Sequence, residues 1–310
     1  MSTPKLPAFE SLLKSRDVED PVNLWVHRPL AYGIVALIYR SAVTPNQITA
    51  LATLVGLGAG VCFFLGTPAL MIWGGAMLWA SAILDGADGI LARAQRSGSD
   101  FGRAIDGTAD AVVGFGSVLP AFYHLWVTHH DLTVLLLSPV AVLSAIAHIY
   151  LYDFYKESYM QQTDPSWSGK PERLTDVDAR IARAKAEGAT VAAMSSRTYG
   201  DLMRLQTLVV PRLDPWGSRE HLRFSVTPDS VESYRRHNRG PIKLWSMISL
   251  APHCYVMAVC AMFDKLEVYF WLRLVACNVI FVIVMLWQRA ASRRSREDLA
   301  ALGLSPVPAS

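Results

Sequence analysis

Residues 68–110 open with PALMIWGGAMLWASAIL, uncharged from Pro68 to Leu84, and run on into DGADGILAR, from Asp85 to Arg93. A polar stretch over 95–100 follows. The chain then resumes as GRAIDGTAD, from Gly102 to Asp110, and stays apolar to about Thr128. Runs of this kind suit membrane-spanning helices, which need about 20 mostly apolar residues. An ionisable group inside a span costs at least about 2.5–3.5 kcal/mol. Four acids at the facing ends of two spans therefore need a compensating charge.

Working outward, the same hydropathy criterion finds six spans, over 46–66, 68–84, 103–128, 132–152, 244–263 and 266–288. The expected fold is all-α: a polytopic membrane protein with six transmembrane helices. Residues 29–39, flanked by Arg28 and Arg40, are too few to span and read as a surface helix. Composition agrees. Of 310 residues 52% are hydrophobic and only 18% charged, against about a quarter charged in soluble domains. Disordered, disulfide-rich secreted and collagen-like classes are excluded. A net charge of +3 is too small to point to nucleic acid. Cys62, Cys254, Cys260 and Cys277 all fall in spans and read as free thiols. No apolar leader opens the chain.

Basic residues cluster before the first span, after the second, after the fourth and after the sixth. The positive-inside rule then puts both termini in the cytoplasm, with a bacterial inner membrane as the expected location. Trp73, Trp126 and Trp271 fall at outer span ends, and Trp245 and Trp287 at inner ends, as an aromatic belt would. The expected divisions are an N-terminal segment with the surface helix (1–43), four spans with the acidic motif (44–158), a helical cytoplasmic insertion (159–240), two further spans (241–290) and a tail (291–310). Within the insertion, 164–171 reads as a polar turn cluster and 172–187 as a charged helix. Residues 199–210 read as an amphipathic helix with Leu202, Leu205, Leu208 and Val209 on one side, and 230–238 as a short helix.

The acids are spaced for convergence. Asp85 and Asp88 are three apart and Asp106 and Asp110 four apart, so each pair shares a helix face. A short turn between the helices makes them antiparallel neighbours whose acidic faces meet. All-carboxylate oxygen sites suit Mg²⁺, Mn²⁺ or Ca²⁺. Four carboxylates balance two divalent ions, a device that holds and polarises a diphosphate. Gly86, Gly89, Gly102 and Gly107 leave room beside the acids. The alternative is acids paired with Arg93, Arg96 and Arg103. Thr44-Pro45 reads as the N-cap and first residue of the first span, whose free amides near Asn46 suit a phosphate.

These residues carry a resemblance. Asp85, Asp88, Gly89, Ala92, Arg93, Gly102, Asp106 and Asp110 fill every position of D-x2-D-G-x2-A-R-x8-G-x3-D-x3-D. That is the signature of the CDP-alcohol phosphotransferase (CDP-alcohol phosphatidyltransferase) family. The chain resembles that family over about 29–155, including the Thr44–Thr49 segment, and more loosely in the last two spans; the long insertion departs from it. The resemblance implies an enzyme that moves a substituted phosphate from a CDP-linked donor to an alcohol or lipid acceptor and releases CMP. It implies two divalent cations, Mg²⁺ or Mn²⁺, held by Asp85, Asp88 and Asp106. Asp110 would also lie at the metals and act as the base. Gly89, Ala92, Arg93 and Gly102 would lie at the CDP group, and the protein would be a homodimer among membrane lipids.

Two donor classes fit: a CDP-linked lipid with a small polar acceptor, or a small CDP-alcohol with a lipid acceptor. An inositol-phosphate version making a soluble phosphodiester is a further alternative. An intramembrane prenyltransferase also uses Asp-rich helices and Mg²⁺, but on two separate helix pairs. A transporter predicts symmetry between halves, which the sequence lacks. His148 and His253 read as satisfied interior histidines. Arg273 reads as snorkelling or paired with nearby Glu267. Arg28 and Arg40 read as headgroup contacts or as contacts to an anionic substrate.

Overall fold

A computed structural model describes residues 6–13, 15–98, 100–164, 174–217 and 226–304, and all regular structure among them is helical. A π-helical turn (Asn23–His27) leads into α1 (Arg28–Ile38). Then come α2 (Pro45–Leu65), α3 (Pro68–Gln95), α4 (Asp100–His129), α5 (Leu132–Thr163), α6 (Leu174–Ala186), α7 (Thr190–Leu213), α8 (Pro228–Ser246), α9 (Leu250–Met262), α10 (Leu266–Trp271) and α11 (Cys277–Ala301). Among the described residues six segments are long and apolar enough to cross a membrane: α2, α3, the Ile105–His129 part of α4, α5, Pro228–Met262 and Leu266–Ala301. This is a multi-pass membrane protein.

Thr44 caps α2 and Pro45 is its first residue. Gln47 N–H donates to Thr44 Oγ1, and Gln47 Oε1 accepts from the Thr44 amide at 2.9 Å. The fourth and sixth spanning helices outrun their apolar stretches. The 32 residues of α5 measure about 48 Å at 1.5 Å each, well beyond a hydrocarbon core of about 30 Å. The fifth is assembled differently from the expected run over 244–263. Its 13-residue apolar helix α9 is short for a crossing. The preceding α8 starts at Pro228 and takes in the whole of 230–238. Residues 165–173, with most of the expected polar turn, lie outside the described residues, as does the side chain of Arg103.

The chain divides into two compact units, Met1–Ser144 with Leu250–Ala276, and Ala145–Ser249 with Cys277–Ser310. In the first, α2 packs closely on both α3 and α4. The core there includes Phe63, Met71, Leu78, Phe122, Leu125, Met257 and Phe270. The approach of α2 to α4 is backbone to backbone at Gly60 and Gly116. A β-carbon on Gly60 would collide with the Gly116 carbonyl. Gly60→Val should therefore destabilise the protein by about 1–3 kcal/mol, seen as a lower melting temperature in detergent. Gly33→Ala, inside α1 with open space around the position, should hold it level or raise it.

The segment before α1 is bound into this unit. Asp20 Oδ1 accepts from the Asn23 amide at 2.9 Å and from the Tyr255 hydroxyl at 3.1 Å. Glu19 pairs with Arg28 at 3.0 Å. His27 is 1% exposed and sits edge-on to Trp79 and Tyr255, with centroids 5.2 and 5.6 Å away. Burial first, and Arg28 second, lower the His27 pKa to about 4. Above the ordinary pKa of about 6.5 both folded and unfolded chains hold it neutral. As pH falls from there to 4 only the unfolded chain takes up the proton, so stability is lost, by up to about 3 kcal/mol. Melting temperature followed from pH 7 to 4 should fall, and His27→Phe should flatten that fall.

In the second unit the hub is Asp214, fully buried just after α7. Its carboxylate accepts from the Ser292 hydroxyl at 2.6 Å, the Tyr155 hydroxyl at 3.2 Å and the Gly217 amide at 3.0 Å. Gln288 donates to Asn238 at 2.9 Å, and Asn238 to Ser295 at 2.6 Å, joining α8 to α11. Trp245 does not serve in an interfacial belt. It is fully buried, stacked on Tyr155 with centroids 5.4 Å apart, because it faces α5. Trp73, Trp271 and Trp287 do remain exposed. Arg273 does not snorkel either. It is 1% exposed within a π-helical turn (Leu272–Ala276), and Glu267 pairs with Lys265 instead. His148 is buried against Phe281, and the four cysteines are free.

Candidate metal and active site

The site lies where the last turns of α3 meet the first turns of α4. α3 keeps its helical form through Gln95, past both acids, and stops where Arg96 turns left-handed with φ 52°. Its amide there satisfies the Ala92 and Arg93 carbonyls. This brings Asp85 and Asp88 onto the end of α3, one turn apart. On α4, Asp106 and Asp110 lie one turn apart near the start. Among the described residues the close packing in this trio is α2 on α3 and α2 on α4. The first turn of α2 therefore forms a third wall, where the sequence indicated two flush neighbours.

One carboxylate oxygen from each of Asp85, Asp88 and Asp106 lies within 4.8 Å of the others. Asp88 is buried, while Asp85 and Asp106 are half-buried. Asp110 stands outside this tight group, one turn further along α4 and near enough to act electrostatically on Asp85. Three like charges at this separation in an apolar setting are held together at high cost unless a cation joins them.

Two of the nearby arginines bond to other groups. Arg28 Nε is held by Glu19, and its Nη1 donates to the Gly86 carbonyl at 3.4 Å. Arg93 Nε donates to the Leu12 carbonyl at 2.6 Å. The carboxylate cluster fits divalent ions, because it gathers hard oxygen ligands within a few ångströms of one another.

Two features were not read from the sequence as parts of the site. The Thr49 hydroxyl, one turn into α2, donates to Asp88 Oδ2 at 2.5 Å, and both residues are 5% exposed. The hydroxyl in the first turn of an otherwise apolar span was the available signal. The second is the N-terminal turn (Phe9–Leu12), whose Leu12 packs with Ala31, Val35, Ile48, Ile90 and Leu91 beside α3. Nothing in a polar, charged N-terminus announced it.

The other expected residues fall as follows. Arg93 lies over Gly89 on the same face of α3, where a β-carbon would come 3.4 Å from Nη1. Its Nη2 is buried with no hydrogen-bond partner among the described residues. Ala92 and Gly102 are half-buried. Asn46 is exposed on the first turn of α2. The capping box uses the Gln47 amide and Pro45 has none, so in that cap Asn46 supplies the remaining donor. Gly107 is exposed with open space around it.

Residues 42–197, half of the chain, match the CDP-alcohol phosphatidyltransferase family. The chain belongs to that family. Within it, 87 residues are 32% identical to the phosphatidylinositol phosphate synthase of Mycobacteroides abscessus, covering 28% of this chain and 37% of the relative. The enzyme of the same name from Corynebacterium glutamicum is 33% identical over 88 residues, 27% of this chain and 39% of its own. The bifunctional IPC transferase and DIPP synthase of Aquifex aeolicus is 41% identical over 83 residues, 26% of this chain and 18% of its own. The chain thus matches well under half the length of these relatives. What it shares with the family includes the acidic helix pair; the second half of the insertion and the last two spans lie outside the matched residues.

Proposed function

We propose that this member of the CDP-alcohol phosphatidyltransferase family transfers a substituted phosphate from a CDP-linked donor to an alcohol and releases CMP, as in phospholipid-type synthesis. The observation that carries this is the convergence of Asp85, Asp88 and Asp106 within 4.8 Å at the α3–α4 junction. Two divalent ions, Mg²⁺ or Mn²⁺, bound to these carboxylates and Asp110 would neutralise and polarise the donor diphosphate.

The chain's own groups supply the rest. Arg93, whose buried Nη2 has no hydrogen-bond partner among the described residues, would donate to a donor phosphate. Gly89, Ala92 and Gly102 leave space for the cytidine side. Asn46 offers an amide at the start of α2. Thr49 holds Asp88 in one orientation. The acceptor hydroxyl attacks phosphorus, the bond from phosphorus to the CMP oxygen breaks, and Asp110 takes the hydroxyl proton. Thr49→Val removes the bond that orients Asp88. It should weaken Mn²⁺ binding by about 10-fold or more, measured by titration of the purified protein.

The donor is read as a CDP-linked lipid such as CDP-diacylglycerol, with a small polar acceptor, because two of the relatives are phosphatidylinositol phosphate synthases. An inositol-phosphate acceptor is the corresponding choice. A soluble-product reading is favoured only by the likeness to the bifunctional IPC transferase and DIPP synthase. Both termini are placed in the cytoplasm and the assembly is taken as a homodimer. Purified protein given CDP-diacylglycerol with inositol phosphate, and CDP-choline or CDP-ethanolamine with diacylglycerol, should release CMP from the first pair. Release only from a small CDP-alcohol would reverse the donor assignment, and no release from any donor would remove the enzyme reading.

A further inference from the structure

The helix α7 has two apolar sides, and only one of them is packed. Ala193, Met203 and Val210 are buried, Gly200 lies against Val177 and Ile181 of α6, and Gln206 donates to the Tyr150 carbonyl of α5 at 3.4 Å. On the other side Met194, Leu202, Leu205 and Leu208 are exposed, Met194 to 68% and Leu208 to 57%. At about 100° per residue these four fall within about 120° of arc. An insertion bathed in water gains nothing from such a stripe.

Depth and charge say what covers it. The Gln206–Tyr150 bond fixes α7 beside a spanning helix, α5. Ile146, one turn before Tyr150, is itself exposed, as a lipid-facing residue would be. The α7 stripe thus sits on a helix tied to α5 within one turn of that residue. One edge of the stripe and its C-terminal end are basic. Arg197 is exposed at that edge and Arg212 at the end of the helix, and Lys185 with Arg197 lines an open hollow beside Met194. Asp201, the acid within the arc, is taken up by Arg204 at 2.8 Å.

We propose that α7 is an interfacial helix. Its stripe lies in the bilayer at the boundary between headgroups and acyl chains, and Lys185, Arg197 and Arg212 meet the phosphates of anionic lipids.

Nitroxide labels on the full chain test this. The variants are Leu205→Cys and Leu208→Cys, with Glu187→Cys as a water-facing control, in vesicles of phosphatidylethanolamine and phosphatidylglycerol. The unsubstituted chain, labelled alongside, supplies the background from native cysteines. Because positions 205 and 208 are exposed, the labels should leave the melting temperature unchanged. Labels at 205 and 208 should collide several-fold more with oxygen than with a water-soluble nickel chelate, and the label at 187 should show the reverse. Omitting phosphatidylglycerol should reduce the depth at 205. Chelate-accessible labels at 205 and 208 would overturn the proposal. So would labels that neither reagent reaches, since those mean a protein partner such as a second copy. A depth indifferent to phosphatidylglycerol would overturn the headgroup contacts.

Discussion

Replacing Asp106 with asparagine, Asp106→Asn, should reduce CMP release by about 10³-fold or more while the protein folds normally. The amide keeps the size and much of the hydrogen bonding of the carboxylate, so packing at the start of α4 is preserved. What goes is one negative charge from a group whose oxygens lie within 4.8 Å of one another. Ions bound there would stabilise charge in the transition state by several kcal/mol, and about 4 kcal/mol is a factor of about 10³ in rate. The same variant should bind Mn²⁺ much more weakly than the unsubstituted chain. A variant that lost activity with unaltered Mn²⁺ binding would separate Asp106 from the metal role. Retention of both would dissolve the site. Melting temperature is the control, and relief of like-charge repulsion should hold it level or raise it.

Asp110→Asn should behave differently. Asp110 lies one turn beyond Asp106 on α4, outside the tight group of three but near enough to act electrostatically on Asp85. That is a fitting place for a base that works on a hydroxyl beside the metals. Loss of a positioned base costs about 10²–10⁴-fold. The loss should appear in kcat, with binding of the CDP donor and at least one of the two ions retained. Full activity in Asp110→Asn would refute the base assignment. Loss of all ion binding would make Asp110 chiefly a ligand.

How far the sequence reached can be judged from particular residues. The six spans follow from apolar length, and the start of α2 from Thr44, Pro45 and Gln47, because bilayer thickness and cap chemistry are local rules. That Asp85, Asp88 and Asp106 come together was legible in their spacing. The contribution of Thr49 was not, because a hydroxyl donating across helices leaves no periodic trace. The same holds for Leu12, Glu19 and Asp20, which look like part of a charged N-terminus and yet pack against α1, α3 and Tyr255. Trp245 and Arg273 were misread for one reason. Position along a span does not fix exposure to lipid, and each is turned toward protein by the face it occupies. The apolar run over 244–263 carries no sign of where its helix begins, because α8 is polar through Lys243 and continues as helix regardless, held by the Thr227 capping box and by the Asn238 bond to Ser295 of α11.

The central claim is that the carboxylate cluster at the α3–α4 junction runs a metal-dependent transfer from a CDP-linked donor. The most direct measurement is release of labelled CMP from CDP-diacylglycerol and inositol phosphate by the purified protein, first in excess EDTA and then after adding back Mg²⁺ or Mn²⁺. The account predicts no release in the chelator and restored release on addition of either ion. Release unaffected by EDTA would contradict it.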